Sequence, residues 1–249
     1  MNALQKPDYG IDAPKVLRNL LLFGVLGLVL GIFGPRLVQL GPARMLPRPM
    51  FLGTGSLLLL EGFLYLFYVK VGKLYHRDHL LSLHSWRGDE NVLDVGCGRG
   101  LLLAGAAKRM AQLSGNGTVT GVDIWSREDM SGNSEQATRR NLELEGVSDR
   151  CKLIGVAAQD LPFEDGTFDV VVSNLCLHNI YDRDARKRAL RQIARVLKPG
   201  GQALISDYKL TKEYADELQR AGLSTKRVWG NPLYTFPPLR IVVARKVGA

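Results

Sequence analysis

Residues Val92 to Gly100 read Val-Leu-Asp-Val-Gly-Cys-Gly-Arg-Gly. An apolar run closes on an acid, Asp94, and glycines then fall at 96, 98 and 100. The pattern predicts a buried strand that breaks into a tight turn and feeds a helix, leaving backbone N–H groups open to a ligand. Two further acids fall near the ends of later predicted strands: Asp123 after Thr-Val-Thr-Gly-Val, and Asp160 within Ala-Ala-Gln-Asp-Leu-Pro-Phe. A carboxylate at the end of the second strand can accept both hydroxyl protons of a ribose, and it would repel a 2′-phosphate. Each acid alone reads as a turn or cap residue. After the fourth strand, Ser173 to Tyr181 contains Asn174, Cys176 and His178. An imidazole titrates near neutrality, so His178 is a candidate general base for an acidic hydroxyl or thiol. Its other readings are a helix cap or a surface packed on the ligand. No motif supports Cys176 as a nucleophile.

These residues need a scaffold that brings strand ends together. From Asn91 onward, strands are predicted at 92–95, 118–124, 152–156, 168–174, 202–207, 224–229 and 240–246. Helices are predicted at 101–113, 134–145, 184–197 and 211–221. Such alternation implies an α/β fold, a parallel sheet with helices on both faces. Ligands of these sheets sit outside the carboxyl ends of the strands, where all the residues above fall.

With Phe163-Glu164-Asp165-Gly166-Thr167-Phe168-Asp169 and Leu197-Lys198-Pro199-Gly200-Gly201 following in order, residues 90–246 resemble the class I S-adenosylmethionine-dependent methyltransferases. The resemblance implies a Rossmann-like seven-stranded, mostly parallel sheet with an antiparallel last strand, and S-adenosylmethionine as cofactor. It implies that Asp94 and Asn174 lie near the methionine end and that Gly96, Cys97, Gly98 and Gly100 leave room for it. Asp123 would hold the ribose, Ile124 would pack on the adenine, and Gln159, Asp160 and Leu161 would meet the adenine edge. Trp125 is a candidate cover for this pocket. A nicotinamide dehydrogenase fits less well, because its fingerprint places the last glycine three residues after the second. Asn174 is not followed by Pro-Pro-aromatic, the pattern of nucleic-acid amino methyltransferases in the same fold. No nucleic-acid partner is expected.

The N-terminal third has a different character. Val16–Gly34 and Met50–Val69 are apolar apart from Arg18, Asn19 and Glu61, and each approaches the twenty residues of a bilayer-spanning helix. Residues 1–72 therefore read as a membrane-anchoring helical hairpin, 73–89 as a linker helix and 90–249 as the catalytic domain. A shallow re-entrant hairpin and a buried hairpin packed on the domain are the alternatives. Gly27 and Gly31, with Gly24 and Gly34 nearby, form a small-residue face that would let the helices approach closely. Glu61 reads as a neutral acid bonded to the first helix, or as a contact to headgroup or substrate. The formal charge of +9 is shared between both parts and suits a basic fringe beside anionic headgroups. Three cysteines without paired spacing suit a reducing compartment, and His76, His79 and His84 lack a completing ligand for a metal site.

The expected activity is methyl transfer to a hydrophobic or membrane-associated small molecule, a lipid or quinone, with the bilayer as partner. The expected location is a bacterial-type inner or plasma membrane with the catalytic domain on the cytoplasmic face. A protein methyltransferase acting on a membrane partner and a non-catalytic cofactor-binding scaffold are the alternatives. Trp229, Tyr234, Phe236 and Pro237-Pro238, clustered between the final strands, are a candidate wall for an apolar substrate pocket, with core packing the alternative reading.

Overall fold

The computed structural model describes residues 6–126 and 130–248. Helix α1 spans Pro14–Phe33, its first position held by a proline whose missing N–H costs nothing there. A small antiparallel hairpin follows, β1 (Val38–Leu40) with β2 (Ala43–Met45). Helix α2 covers Pro47–Phe67, passes through a π-helical stretch at Tyr68–Gly72 and continues as α3, Lys73–Ser82. The wide turn lets the helix meet the domain: a Cβ on Gly72 would lie 1.9 Å from the Tyr234 carbonyl oxygen.

The two long helices meet along glycine. A Cβ on Gly27 would lie 2.7 Å from the Cα of Gly55, and one on Gly55 would lie 2.7 Å from the Leu28 nitrogen. Gly24 and Gly31 pack the same way on Leu59 and Leu52. Gly34 does not join this seam; it caps α1, donating its N–H to the Leu30 carbonyl. Arg48 donates to the Gly34 carbonyl across the connector at 2.7 Å. Outside the seam the hairpin is bare hydrocarbon, with Phe33 78% and Phe63 60% exposed beside Leu22, Val25, Ile32 and Leu57. The buried-hairpin alternative is therefore not what the structure adopts. Glu61 is half-buried and has no hydrogen-bond or ion-pair partner on α1 among the described residues.

The remaining chain builds one seven-stranded sheet. Its strands are β3 (Asn91–Val95), β4 (Thr118–Asp123), β5 (Cys151–Gly155), β6 (Phe168–Asn174), β7 (Leu197–Asp207), β8 (Leu223–Trp229) and β9 (Arg240–Lys246). They run in the order β5-β4-β3-β6-β7-β9-β8, and β9 is antiparallel to both of its neighbours. The expected Rossmann-like architecture is present. β7 starts earlier than expected because Leu197 pairs with Phe168, and the stretch to Gly201 bulges before pairing resumes at Gln202. Helices α4 (Leu101–Gln112) and α5 (Glu135–Leu144) belong to the first half of the sheet, α6 (Arg183–Val196) and α7 (Thr211–Arg220) to the second. Ser134 and Asp182 cap α5 and α6 by accepting the Ala137 and Ala185 N–H groups. Strand order reverses between β3 and β6, so the crevice for a ligand opens at the ends of those two strands.

The segment expected as a linker helix is a core element. Leu80 and Leu81 of α3 are fully buried with Leu103, Ala107 and Met110 of α4. His76 reaches the Ser206 hydroxyl at 2.7 Å and His84 reaches Gln202 Oε1 at 2.9 Å, so both histidines pin α3 to β7. Among the described residues no cluster of metal-ligating side chains forms.

Candidate active site

The floor is the turn after β3. The N–H groups of Gly96 and Cys97 both donate to the Val122 carbonyl, at 2.8 and 3.1 Å, which locks the turn to β4. Gly96 has φ +73°, and a Cβ there would sit 2.1 Å from the Cys176 Sγ, so only glycine fits. Gly98 donates to Asp123 Oδ2 at 2.7 Å, while the Trp125 N–H donates to Oδ1 at 2.6 Å. These bonds fix the carboxylate at the end of β4, where it faces the cavity.

A void of about 40 Å³ lies beside the turn, lined by Asp94, Gly96, Cys97, Gly98 and Asn174 from the sheet. Asp94 is 1% exposed, and its Oδ2 has no hydrogen-bond partner. Asn174 Oδ1 and the Tyr68 hydroxyl, in the same lining, are also buried and unpartnered. Burial, and then the neighbouring Asp123 charge, push the Asp94 carboxyl up to about 8. A native interior rarely leaves such atoms unpaired without a reason. Two oxygen acceptors converging on one void fit a cationic group, as the methionine end of S-adenosylmethionine presents. Cys97 lines the void, but burial holds its thiol far above the ordinary range, so it is an inert wall.

Beyond the void opens a cavity of about 640 Å³. Asp123, Ile124, Val156, Ala157, Ala158 and Gln159 form one end of its lining, where the ring end of a nucleoside would lie. Asp160 and Leu161 fall outside this lining: Asp160 is exposed just beyond Gln159, and Leu161 is buried in the core. Gly100 also lies outside, serving as the left-handed residue that starts α4. Trp125 braces the turn from behind, donating Nε1 to the Gly98 carbonyl and Thr138 Oγ1, and does not line the cavity. Residues 127–129 of that loop lie outside the described residues.

The other end of the cavity comes from elements that sequence reasoning treated only as an anchor. Val16 and Leu20 of α1 and Tyr65 of α2 line it together with Leu175, His178, Tyr208 and Phe236. Leu17, Tyr65, Tyr68, Val69 and Leu239 form a buried cluster that seats the hairpin on the domain. Ahead of α1, residues 8–13 lie across the glycine turn as a strap. Asp8 pairs with Arg99 at 3.1 Å, the Tyr9 hydroxyl donates to Glu145 at 2.5 Å, and the Ile11 N–H donates to Ser131 at 2.8 Å. Lys73, 4% exposed, donates to the carbonyls of Tyr9 and Gly10 and pairs with Asp12 at 3.2 Å. The Tyr65 hydroxyl donates to the Asp12 carbonyl. Strap, hairpin and glycine turn are thus joined around one pocket.

His178 stands in the cavity wall with Nδ1 2.9 Å from Asp207 at the end of β7. Asp207 was not singled out from the sequence, although an acid at the carboxyl end of a fifth strand repeats the pattern of Asp94 and Asp123. The aromatic cluster near the C-terminus divides. Phe236 and Pro237 line the cavity, Tyr234 stacks on Tyr75 at 4.7 Å, and exposed Trp229 carries the Arg240 guanidinium on its ring at 3.8 Å.

Comparison with known proteins agrees with this geometry. A family model described as a methyltransferase domain matches residues 93–205. The chain is 39% identical over 127 residues to the sterol 4-C-methyltransferase strm-1 of Caenorhabditis elegans, covering 50% of this chain and 34% of that protein. It is 37% identical over 129 residues to a demethylmenaquinone methyltransferase of Symbiobacterium thermophilum, covering 51% of this chain and 46% of that one. The chain thus spans less than half the length of these relatives. Among solved structures, a SAM-dependent methyltransferase from Aquifex aeolicus shares the fold, with TM-score 0.54 and 19% identity over 69% of this chain and 89% of that one. Residues 93–205 thus match a methyltransferase domain, and the sheet has the fold of S-adenosylmethionine-dependent methyltransferases, whose cofactor these pockets fit.

Proposed function

We propose that the chain methylates a hydrophobic small molecule drawn from a bilayer, of sterol or quinone type, with α1 and α2 spanning the membrane and the sheet domain at the cytoplasmic face. The observation that carries this reading is the composition of the large cavity. One end is the nucleotide floor at Asp123 and Gln159, and the other is roofed by Val16, Leu20 and Tyr65 of the two apolar helices. An acceptor dissolved among lipid chains would reach the cofactor there without crossing water. Both helices are long and apolar enough to cross a membrane, and their outward faces are hydrocarbon. The names of the sterol and demethylmenaquinone relatives support the acceptor class.

Bound S-adenosylmethionine supplies a methyl group on a positively charged sulfur. The protein's part is to hold that cation at Asp94 and Asn174, fix the ribose at Asp123 and seat an acceptor in line. Alignment of this kind can supply several kcal/mol of a methyl-transfer barrier, about 7–11 in well-oriented cases. Incubating the full chain in its own membranes with methyl-labelled S-adenosylmethionine, followed by organic extraction, tests the reading. Label in extractable small molecules is the expected result; label confined to membrane protein would overturn it.

A further inference from the structure

Asp207 is fully buried at the end of β7, and hydrogen-bond donors surround it. The Tyr208 N–H donates to Oδ1 at 2.8 Å, the Tyr214 hydroxyl donates to Oδ2 at 3.1 Å, and His178 Nδ1 lies 2.9 Å from Oδ1 and 3.1 Å from Oδ2. Only a carboxylate, which accepts and does not donate, satisfies all of these partners together. Burial and the Asp207 charge keep Tyr214 a neutral phenol, able to donate. Nδ1 of His178 then carries the hydrogen, and Nε2 is the lone-pair nitrogen on a ring that lines the cavity. The Tyr208 ring packs edge-on against this imidazole at 4.8 Å between centroids, fixing its plane.

We propose that Asp207 is the positioning residue that makes His178 the general base, and that the acceptor therefore presents an ionisable hydroxyl, of phenol or enol type, at or conjugated with the atom that is methylated. The inference rests on the bilayer-acceptor reading above and narrows it. The acceptor's hydroxyl proton passes to Nε2. Its freed electron pair forms the new bond to the methyl carbon, and the carbon–sulfur bond breaks with its electrons left on sulfur. One proton then leaves the imidazolium for solvent, which balances the loss of the sulfonium charge. Phenols ionise near 10, within reach of an imidazole supported by a carboxylate; an isolated alkene offers no such proton. The charged and titratable groups around the ring are Asp207, Tyr208, Lys209, Tyr214, Arg186 beyond it, and Tyr65 from the hairpin.

The full chain is reconstituted in lipid vesicles doped with either a long-chain alkylphenol or a long-chain alkene, and methyl transfer is followed from pH 5 to 9. The wild-type chain should methylate the phenol and leave the alkene untouched. His178→Gln should lose about 100-fold in kcat, within the range for a general base, with cofactor affinity within threefold of wild type. Asp207→Asn should lower kcat comparably and move the acidic limb of the profile to lower pH, because the imidazolium loses its counter-charge. A purely structural Asp207 would lower activity without moving that limb. If Asp207→Asn does not fold, ¹⁵N shifts of the His178 ring in the wild-type chain decide, with the Nδ1–H tautomer expected and the Nε2–H tautomer contradicting. Transfer to membrane lipids that survives His178→Gln unchanged overturns this inference and leaves the bilayer reading standing. Label found only in membrane protein overturns both.

Discussion

The floor and the roof of the cavity are built on opposite principles. The floor is backbone: positive-φ glycines, N–H groups locked onto Val122, and acids fixed at strand ends. The roof is side chain: Tyr9, Tyr65, Tyr68 and Lys73, brought in by a strap and a helical hairpin from the other end of the sequence. A floor of this kind tolerates little change: an added Cβ at Gly96 would lie 2.1 Å from Cys176 Sγ, and Gly98 and Gly100 also hold positive φ. A roof of this kind should lose function by degrees, since each tie is one hydrogen bond among several.

That contrast can be broken by experiment. Gly96→Val should be the most damaging change, weakening cofactor binding more than about 100-fold by calorimetry, because it combines a clash at Cys176 with backbone strain. Asp123→Ala removes the proposed ribose acceptor and also frees the Gly98 and Trp125 N–H groups. Hydrogen bonds to charged groups contribute about 1.5–3 kcal/mol, so affinity should fall about 10- to 100-fold. Unchanged affinity would remove Asp123 from the ribose site.

The floor should also titrate. Asp94 has its carboxyl raised to about 8, so below that pH it is largely neutral, and a cationic ligand must displace its proton. Cofactor affinity should therefore rise with pH, about tenfold between pH 6.5 and 7.5, and level off above 8. Without ligand the sign reverses. The folded state holds that proton more tightly than the unfolded chain, so Asp94's stability contribution is full below about 4 and is lost as pH rises through 8. Asp94→Asn should flatten both dependences. The roof should respond more mildly. Lys73→Met unties two strap carbonyls and Asp12, so residues 8–13 should exchange amide hydrogen faster and cofactor affinity should fall about tenfold. A tenfold loss from the roof beside a hundredfold loss from the floor is the pattern expected; equal losses would erase the distinction.

The same contrast explains what the sequence made legible. Glycine spacing and strand-end acids are local signals, because strand, turn and site lie within a few residues of one another. Asp94, Gly96, Asp123 and Asn174, which line the two pockets, could therefore be picked out, and a parallel sheet flanked by helices followed from alternation. The roof depends on contacts such as Asp8 with Arg99 or Tyr9 with Glu145, which join residues over 90 positions apart. Asp8-Tyr9-Gly10-Ile11-Asp12 carries no periodicity that announces them. Tyr65 and Tyr68 lie within the apolar stretch Met50–Val69, and nothing local sets them apart before the fold places them in the pocket lining. Leu161 shows the reverse failure: its position beside Asp160 suggested a ring contact, but the short turn at Ala158–Asp160 directs it into the core.

The central claim is that the hairpin forms part of the acceptor site. Leu20→Trp on α1 would fill the cavity from the hairpin side while leaving Asp94, Asp123 and the glycine turn untouched. With the full chain in vesicles, the substitution should abolish methyl transfer to a bilayer-dissolved acceptor and keep cofactor affinity within about twofold. Undiminished transfer by Leu20→Trp would show that the acceptor does not bind beneath the hairpin.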